Sequence, residues 1–229
     1  MTKVMKAAMV AALVMVSAAA SAQFSVNAGY VNSKSTVKDD KALNGITAGV
    51  GYDMNIQGGF GLSYGLNYTY SWNKEKMSES MPGFDKIEVE SKVVSHSLDI
   101  PVRLTYTYEV SDNFKVFGFA GPKFVYAIGG SQKTTLDNDL IKGMLETAGV
   151  SLEDFGFGEM KLYGKDGYLN AFDIKAGLGA GINVSNFLVK VGYDFGLLDV
   201  RKKVDGKKPE GDAVRTNQFY VTVGYAFSL

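Results

Sequence analysis

The chain contains no cysteine. That absence removes thiol nucleophiles, disulfide frameworks, cysteine-held zinc and a lipoprotein anchor on the mature N-terminus together. Proline falls to 4 residues, and histidine and tryptophan to 1 each. Neither sign of charge prevails, since 24 basic side chains meet 24 acidic ones. No global field therefore recruits nucleic acid or an anionic surface, and no long single-sign run marks a binding tail. Beyond the first two dozen residues, no apolar run approaches the ~20 residues that a membrane-crossing helix needs. What is plentiful is glycine, at 27, with 13 tyrosines and 14 phenylalanines. That mixture suits strands with close backbone approaches better than a helical bundle.

The N-terminus carries Lys3 and Lys6, then an uncharged stretch from Ala7 to Ala20, then a small-x-small site at Ala20–Ala22. This is the pattern of a secretory signal peptide over residues 1–22, cleaved before Gln23. Residues 23–229 then form one domain. The apolar core is too short for a spanning anchor.

From Gln23 onward a two-residue period returns eight times. In "FGLSYGLNYTYSW", Phe60, Leu62, Tyr64, Leu66, Tyr68, Tyr70 and Trp72 alternate with Gly, Ser, Asn and Thr. Successive strand side chains point to opposite faces, so one face is greasy and the other small and polar. The same alternation runs through Phe24–Tyr30, Ile46–Met54, Val94–Tyr108, Phe172–Ile182, Phe187–Phe195 and Phe219–Leu229. A segment around 115–128 alternates less cleanly. There Phe117 and Phe119 share one parity and Phe124, Tyr126 and Ile128 the other, which a bulge at Gly121-Pro122 would reconcile.

Each segment is about ten residues, the length of a tilted membrane-crossing strand. Connections alternate as well: short after the second, fourth and sixth segments, long at 32–43, 73–92, 129–168 and 199–216. A soluble sandwich would solvate its small polar face with Lys and Glu, whereas here that face is Gly, Ser and Thr. A lipocalin-like barrel would turn its greasy residues inward. The greasy set holds no Asp, Glu, Lys or Arg, so it is expected to face lipid. The expected architecture is all-β: an eight-stranded antiparallel transmembrane β-barrel with short periplasmic turns and long extracellular loops. One short helix is expected in the third long loop, Leu140–Ala148, capped by Asp137 or Asp139 and stopped at Gly149.

"LDIPVRLTYTY" (98–108), "FAGPKFVYAI" (119–128) and "FDIKAGLGAGINV" (172–184) carry a family resemblance. The mature chain resembles the PorT-like outer-membrane β-barrel domain proteins, relatives in architecture of the OmpA/OmpX type. The resemblance implies a Gram-negative outer-membrane location, passage through the barrel-assembly machinery and contact with outer-membrane lipid. Its motifs are nearly silent about activity. The family's ending generally closes on an aromatic, whereas here Phe227 is followed by Ser228 and Leu229.

The inward set holds the charges Asp53, Asp99, Arg103, Lys123, Asp173, Lys175, Lys190 and Asp194. Buried charges persist when paired. These eight are expected to form a salt-bridged plug, led by Asp99/Arg103 and Asp173/Lys175, with an ion path as the competing reading. His96 stands between Ser95 and Ser97, yet alternation points it away from both, so a serine–histidine pair would need a cross-strand serine. "GLGAG" at 177–181 lies within a strand, not at a strand-to-helix turn, and is no nucleotide loop. The start of a calcium-like loop at Asp137 and Asp139 breaks at Ile141 and Lys142.

Leu140, Ile141, Met144 and Leu145 make one apolar face of the expected loop helix, packed on the barrel mouth or acting as a lid. Lys202, Lys203, Lys207 and Lys208 offer contacts to lipopolysaccharide phosphates. No cofactor or metal is expected. The leading expectation is a monomeric, non-enzymatic barrel whose loops engage an extracellular or envelope protein partner. A narrow porin-like channel and a lipid-modifying enzyme using His96 are the alternatives.

Overall fold

In the computed structural model, the described residues are 22–38, 40–79, 87–138, 157–203 and 209–228, with isolated positions between 139 and 156. They form β1 (Ala22–Ser35), β2 (Leu43–Gln57), β3 (Phe60–Glu79), β4 (Ile87–Ser111), β5 (Phe114–Asp137), β6 (Gly158–Lys161), β7 (Phe172–Val184), β8 (Phe187–Gly196) and β9 (Thr216–Ser228). Hydrogen bonding runs β4-β3-β2-β1-β9-β8-β7-β5, and pairing of β4 with β5 closes the circuit. Eight antiparallel strands thus make a ring, and β6 adds to the far end of β5 at Ser131–Thr134.

The alternation decides which face is which. Leu104, Leu178 and Val223 are 55%, 57% and 59% exposed, while Arg103, one residue from Leu104, is 5% exposed. An apolar outer face of this extent, continuous round the ring, is built for a solvent other than water. The three short connections, Gly58-Gly59, Asp112-Asn113 and Ser185-Asn186, lie at one end together with Ala22 and Ser228. Both glycines of the first have positive φ, 62° and 84°, as a tight primed hairpin turn requires.

Two expectations need correction. No bulge occurs at Gly121-Pro122: β5 keeps one register through Phe119↔Gly179, Gly121↔Gly177 and Lys123↔Lys175. Phe117 and Phe119 point into the lumen, and Phe124, Tyr126 and Ile128 point out or sideways from the other face. The inward rings fit because β7 is glycine opposite them. A Cβ on Gly179 would sit 2.3 Å from Phe119 Cζ, and one on Gly181 would sit 2.4 Å from Phe117 Cζ. The register of β5 shifts against β4 farther on, between His96↔Gly129 and Ser97↔Ala127.

The second correction concerns loops. Residues 73–79, 87–92 and 129–137 continue β3, β4 and β5, with Glu79 opposite Ile87 and Glu88 opposite Asp137. Residues 73–79 and 129–137 are largely polar on both faces and lack the period by which a half-buried strand is recognised, while over 87–92 the alternation of Ile87 and Val89 with Glu88 and Glu90 reverses which parity is polar. Residues 1–21 of the expected signal peptide (1–22), the apolar face expected of a loop helix (Leu140, Ile141, Met144, Leu145), and Lys207 and Lys208 lie outside the described residues.

Candidate functional site, a charged waist in the lumen

Arg103 on β4 and Lys123 on β5 point into the lumen and converge on Asp194 of β8, a side chain with no exposure. Arg103 Nη2 lies 2.5 Å from Asp194 Oδ1, and Lys123 Nζ pairs with Oδ2. Arg103 Nη1 also donates to the Gly121 carbonyl. This contact explains the glycines. Gly121 and Gly177 are paired across β5 and β7, and Gly177 is paired with Asp194 across β7 and β8. A Cβ on Gly177 would fall 1.8 Å from Asp194 Oδ1 and 2.8 Å from the guanidinium nitrogens. Arg103 therefore reaches its carboxylate over two strands that carry no side chain at that level.

The waist continues round the ring. Lys123 donates to Gln218 Oε1, and Gln218 Nε2 donates to Ser33 Oγ at 3.0 Å. The Lys123 ammonium also lies 5.6 Å from the centre of the Tyr220 ring. Lys175 stands directly opposite Lys123 in register, a like-charge pairing that costs stability unless the two diverge. They diverge: Lys175 donates to the Thr216 carbonyl at 2.8 Å and lies 3.9 Å from Asp173.

The pair Asp99/Arg103 does not form. Four strand residues put about 13 Å between the two along β4, and Asp194 is within reach of Arg103 across the lumen. Asp99 is compensated by hydroxyls instead, with Thr69 and Ser97 each donating at 2.8 Å. Asp173/Lys175 does form, as a long pair. Lys190 sits 5.8 Å over the Phe117 ring, and Asp53 is half-buried near the short-turn end, opposite Ser63. Neither has an ion pair among the described residues. Gln218, Tyr220, Thr69, Gly121 and Gly177 are the members that charge-based reading missed. Inward parity alone marked them.

Cavities flank the waist. One of about 100 Å³ is lined by Ser25, Asn67, Phe117 and Tyr220, and one of about 600 Å³ lies towards the long connections, with Asp99 and Gln218 on both. Over the larger cavity the segment after β6 folds inward. Leu162 is 3% exposed, and the Tyr163 and Ser95 hydroxyls lie 3.1 Å apart, with burial pushing the Tyr163 phenol up. Beside it, Asp199 takes both the Nε and Nη2 of Arg201 at 3.0 and 2.8 Å and accepts from Val214 N. The Lys202 ammonium donates to the carbonyls of Gly164, Lys165 and Gly167. Lys202 is therefore a tie between two connections, and not an open phosphate contact.

His96 points outward. Its Nδ1 lies 2.5 Å from the Tyr68 hydroxyl and its ring packs on Tyr70, 5.0 Å between centres. Ser95 and Ser97 serve the inner face, at Tyr163 and Asp99.

Solved structures with a similar chain path include three small membrane proteins. The attachment invasion locus protein Ail of Yersinia pestis shares 15% identity, covering 90% of this chain and 99% of its own, with a TM-score of 0.38. Neisserial surface protein A shares 13%, covering 90% and 97%, at 0.41. The outer membrane enzyme PagL shares 12%, covering 89% and 98%, at 0.42. No curated protein matches. A profile of the family described as outer membrane protein beta-barrel domain matches residues 16–202, and with a closed ring, a greasy exterior and a charged interior the chain belongs to that family.

Proposed function

We propose that this outer-membrane β-barrel protein is a non-enzymatic, monomeric envelope protein of PorT-like type with an occluded lumen. Its long connections face outward to meet a protein partner. Residues 1–22 are removed on export, and both termini stay periplasmic beside the short turns. The observation that carries this reading is the Arg103–Asp194–Lys123 waist, where two cations converge on one buried carboxylate across the lumen. Eight strands enclose little more than their own side chains.

The test is single-channel conductance of refolded mature protein in a planar bilayer, with heat-modifiable migration as proof of folding. Silence from the native protein is expected. Steady conductance would sink the occluded reading. A narrow channel is the second reading, favoured by one feature: polar residues run without a break from one cavity to the other through Asp99 and Gln218. If it conducts, Asp194→Asn changes the unitary current.

A further inference from the structure

Three lysines lie in one cross-strand row on the outer face. Lys74 of β3 is directly opposite Lys92 of β4, and Lys92 is directly opposite Lys133 of β5. Their inward neighbours Asn73, Val93 and Gln132 line the mouth cavity, which fixes the lysines as outward. All three are exposed. One row nearer the ring's midsection lies Trp72–Val94–Ser131, and beyond it Tyr70–His96–Gly129. Two residues of strand, about 6.8 Å, separate the lysines from the Trp72 row.

Such an arrangement is costly in water. Like charges directly opposite on a strand pair destabilise it. Lys74 is relieved by Glu90 at 2.8 Å, which Lys76 also approaches at 3.4 Å. Lys92 and Lys133 have no ion pair among the described residues. The acid positions of this face are Glu88, Glu90, Asp137 and Glu159, the last directly opposite Lys133, while Lys76 and Lys161 add to the cations. Lysine positions thus outnumber acid positions five to four.

Height assigns the counter-ion. Tyr and Trp of membrane proteins settle at the headgroup level, with ring planes at the edge of the hydrocarbon. The row begins one step outside Tyr70 and Trp72, at the depth of lipid phosphates. We propose that Lys74, Lys92 and Lys133 bind the phosphate of an anionic lipid headgroup, with Lys92 and Lys133 as its principal donors. The inference rests on the membrane-spanning reading above, but not on which end faces outward.

Trp72, the single tryptophan of the chain, is a reporter beside the row. The mature protein is folded into symmetric phosphatidylcholine vesicles carrying a minor fraction of lipid brominated on the acyl chain, either phosphatidylglycerol or phosphatidylcholine. Brominated phosphatidylglycerol should quench Trp72 more strongly. A lysine at an anionic surface contributes about fivefold local enrichment. The preference should vanish in K92Q/K133Q and persist in K165Q, an exposed lysine of the segment after β6, with heat-modifiable migration showing all three folded. Equal quenching by the two lipids in the native protein overturns the proposal, as does a preference that survives in K92Q/K133Q. If inorganic phosphate erases the preference and chloride at matched ionic strength does not, the row takes free phosphate and the headgroup assignment falls. Because both leaflets are alike, a negative result cannot come from the wrong insertion direction.

Discussion

Arg103 and Lys123, on adjacent strands, hold the two oxygens of one carboxylate, Asp194, which itself has no exposure to solvent. Removing the shared anion leaves two buried cations. Asp194→Asn should therefore destabilise the folded barrel by about 3–5 kcal/mol, as breaking a buried ion pair does. The measurement is the urea midpoint of folded protein in detergent micelles. A loss under about 1 kcal/mol would show the waist to be hydrated and its charges independent.

Gly192 faces Tyr220 across β8 and β9, and an added Cβ would lie 2.4 Å from the phenol oxygen and 2.5 Å from Cζ. The nearest atoms all belong to that side chain. Gly192→Ala should cost about 1–3 kcal/mol by overpacking. In the Tyr220→Ala background the same change should cost almost nothing. A double-mutant cycle in thermal unfolding reads the coupling, and additive effects would contradict the packing described.

The Asp199 carboxyl is held below the usual carboxylate range, first by its hydrogen bonds from Arg201 and then by backbone donors including Val214. Its folded pKa lies under its unfolded one. The tie across the mouth is therefore fully present above the ordinary Asp value, about 3.9, and is lost only as pH falls through the lower folded value. Amide exchange at Arg201 and Val214 should be protected equally at neutral and mildly acidic pH once intrinsic rates are removed. Asp199→Asn should lose that protection at neutral pH.

His96 is bonded to the Tyr68 hydroxyl on the outer face, and the residue directly opposite it on β5 is Gly129. His96→Ala should cost about 1 kcal/mol, the net worth of a hydrogen bond, read from the same urea midpoint. Lipid hydrolysis by refolded protein is expected to be the same for native and variant. A His96-dependent release of fatty acid would return the enzyme reading to first place.

The ring itself was legible because its two faces meet different solvents, and Leu104 beside Arg103 records both. Where both faces are polar, as at Asn73–Glu79, the period disappears, and at Ile87–Lys92 it persists with the polar parity reversed, Ile87 and Val89 alternating with Glu88, Glu90 and Lys92, so strand reads as loop in the sequence. The inward charges could be named from parity, but their partners could not. Asp99 and Arg103 are neighbours in sequence, whereas Arg103 and Asp194 meet only once β5 and β7 present glycine between them. Phe117 and Phe119 misled for the same reason, since the room that admits them belongs to Gly179 and Gly181 on another strand.

The unequal heights of the strands have a consequence for traffic. β3 runs from the level of Trp72, where Asn44 of β2 pairs with it, on to Glu79, about 24 Å farther. β4 and β5 rise with it, while β9 begins at Thr216 opposite the last residue of β1. The rim is a parapet on one flank and a low sill on the other. A visitor approaching the mouth meets a charged wall of strand on one flank, and on the β1–β9 flank the connection that carries Asp199, Arg201 and Val214 in place of strand.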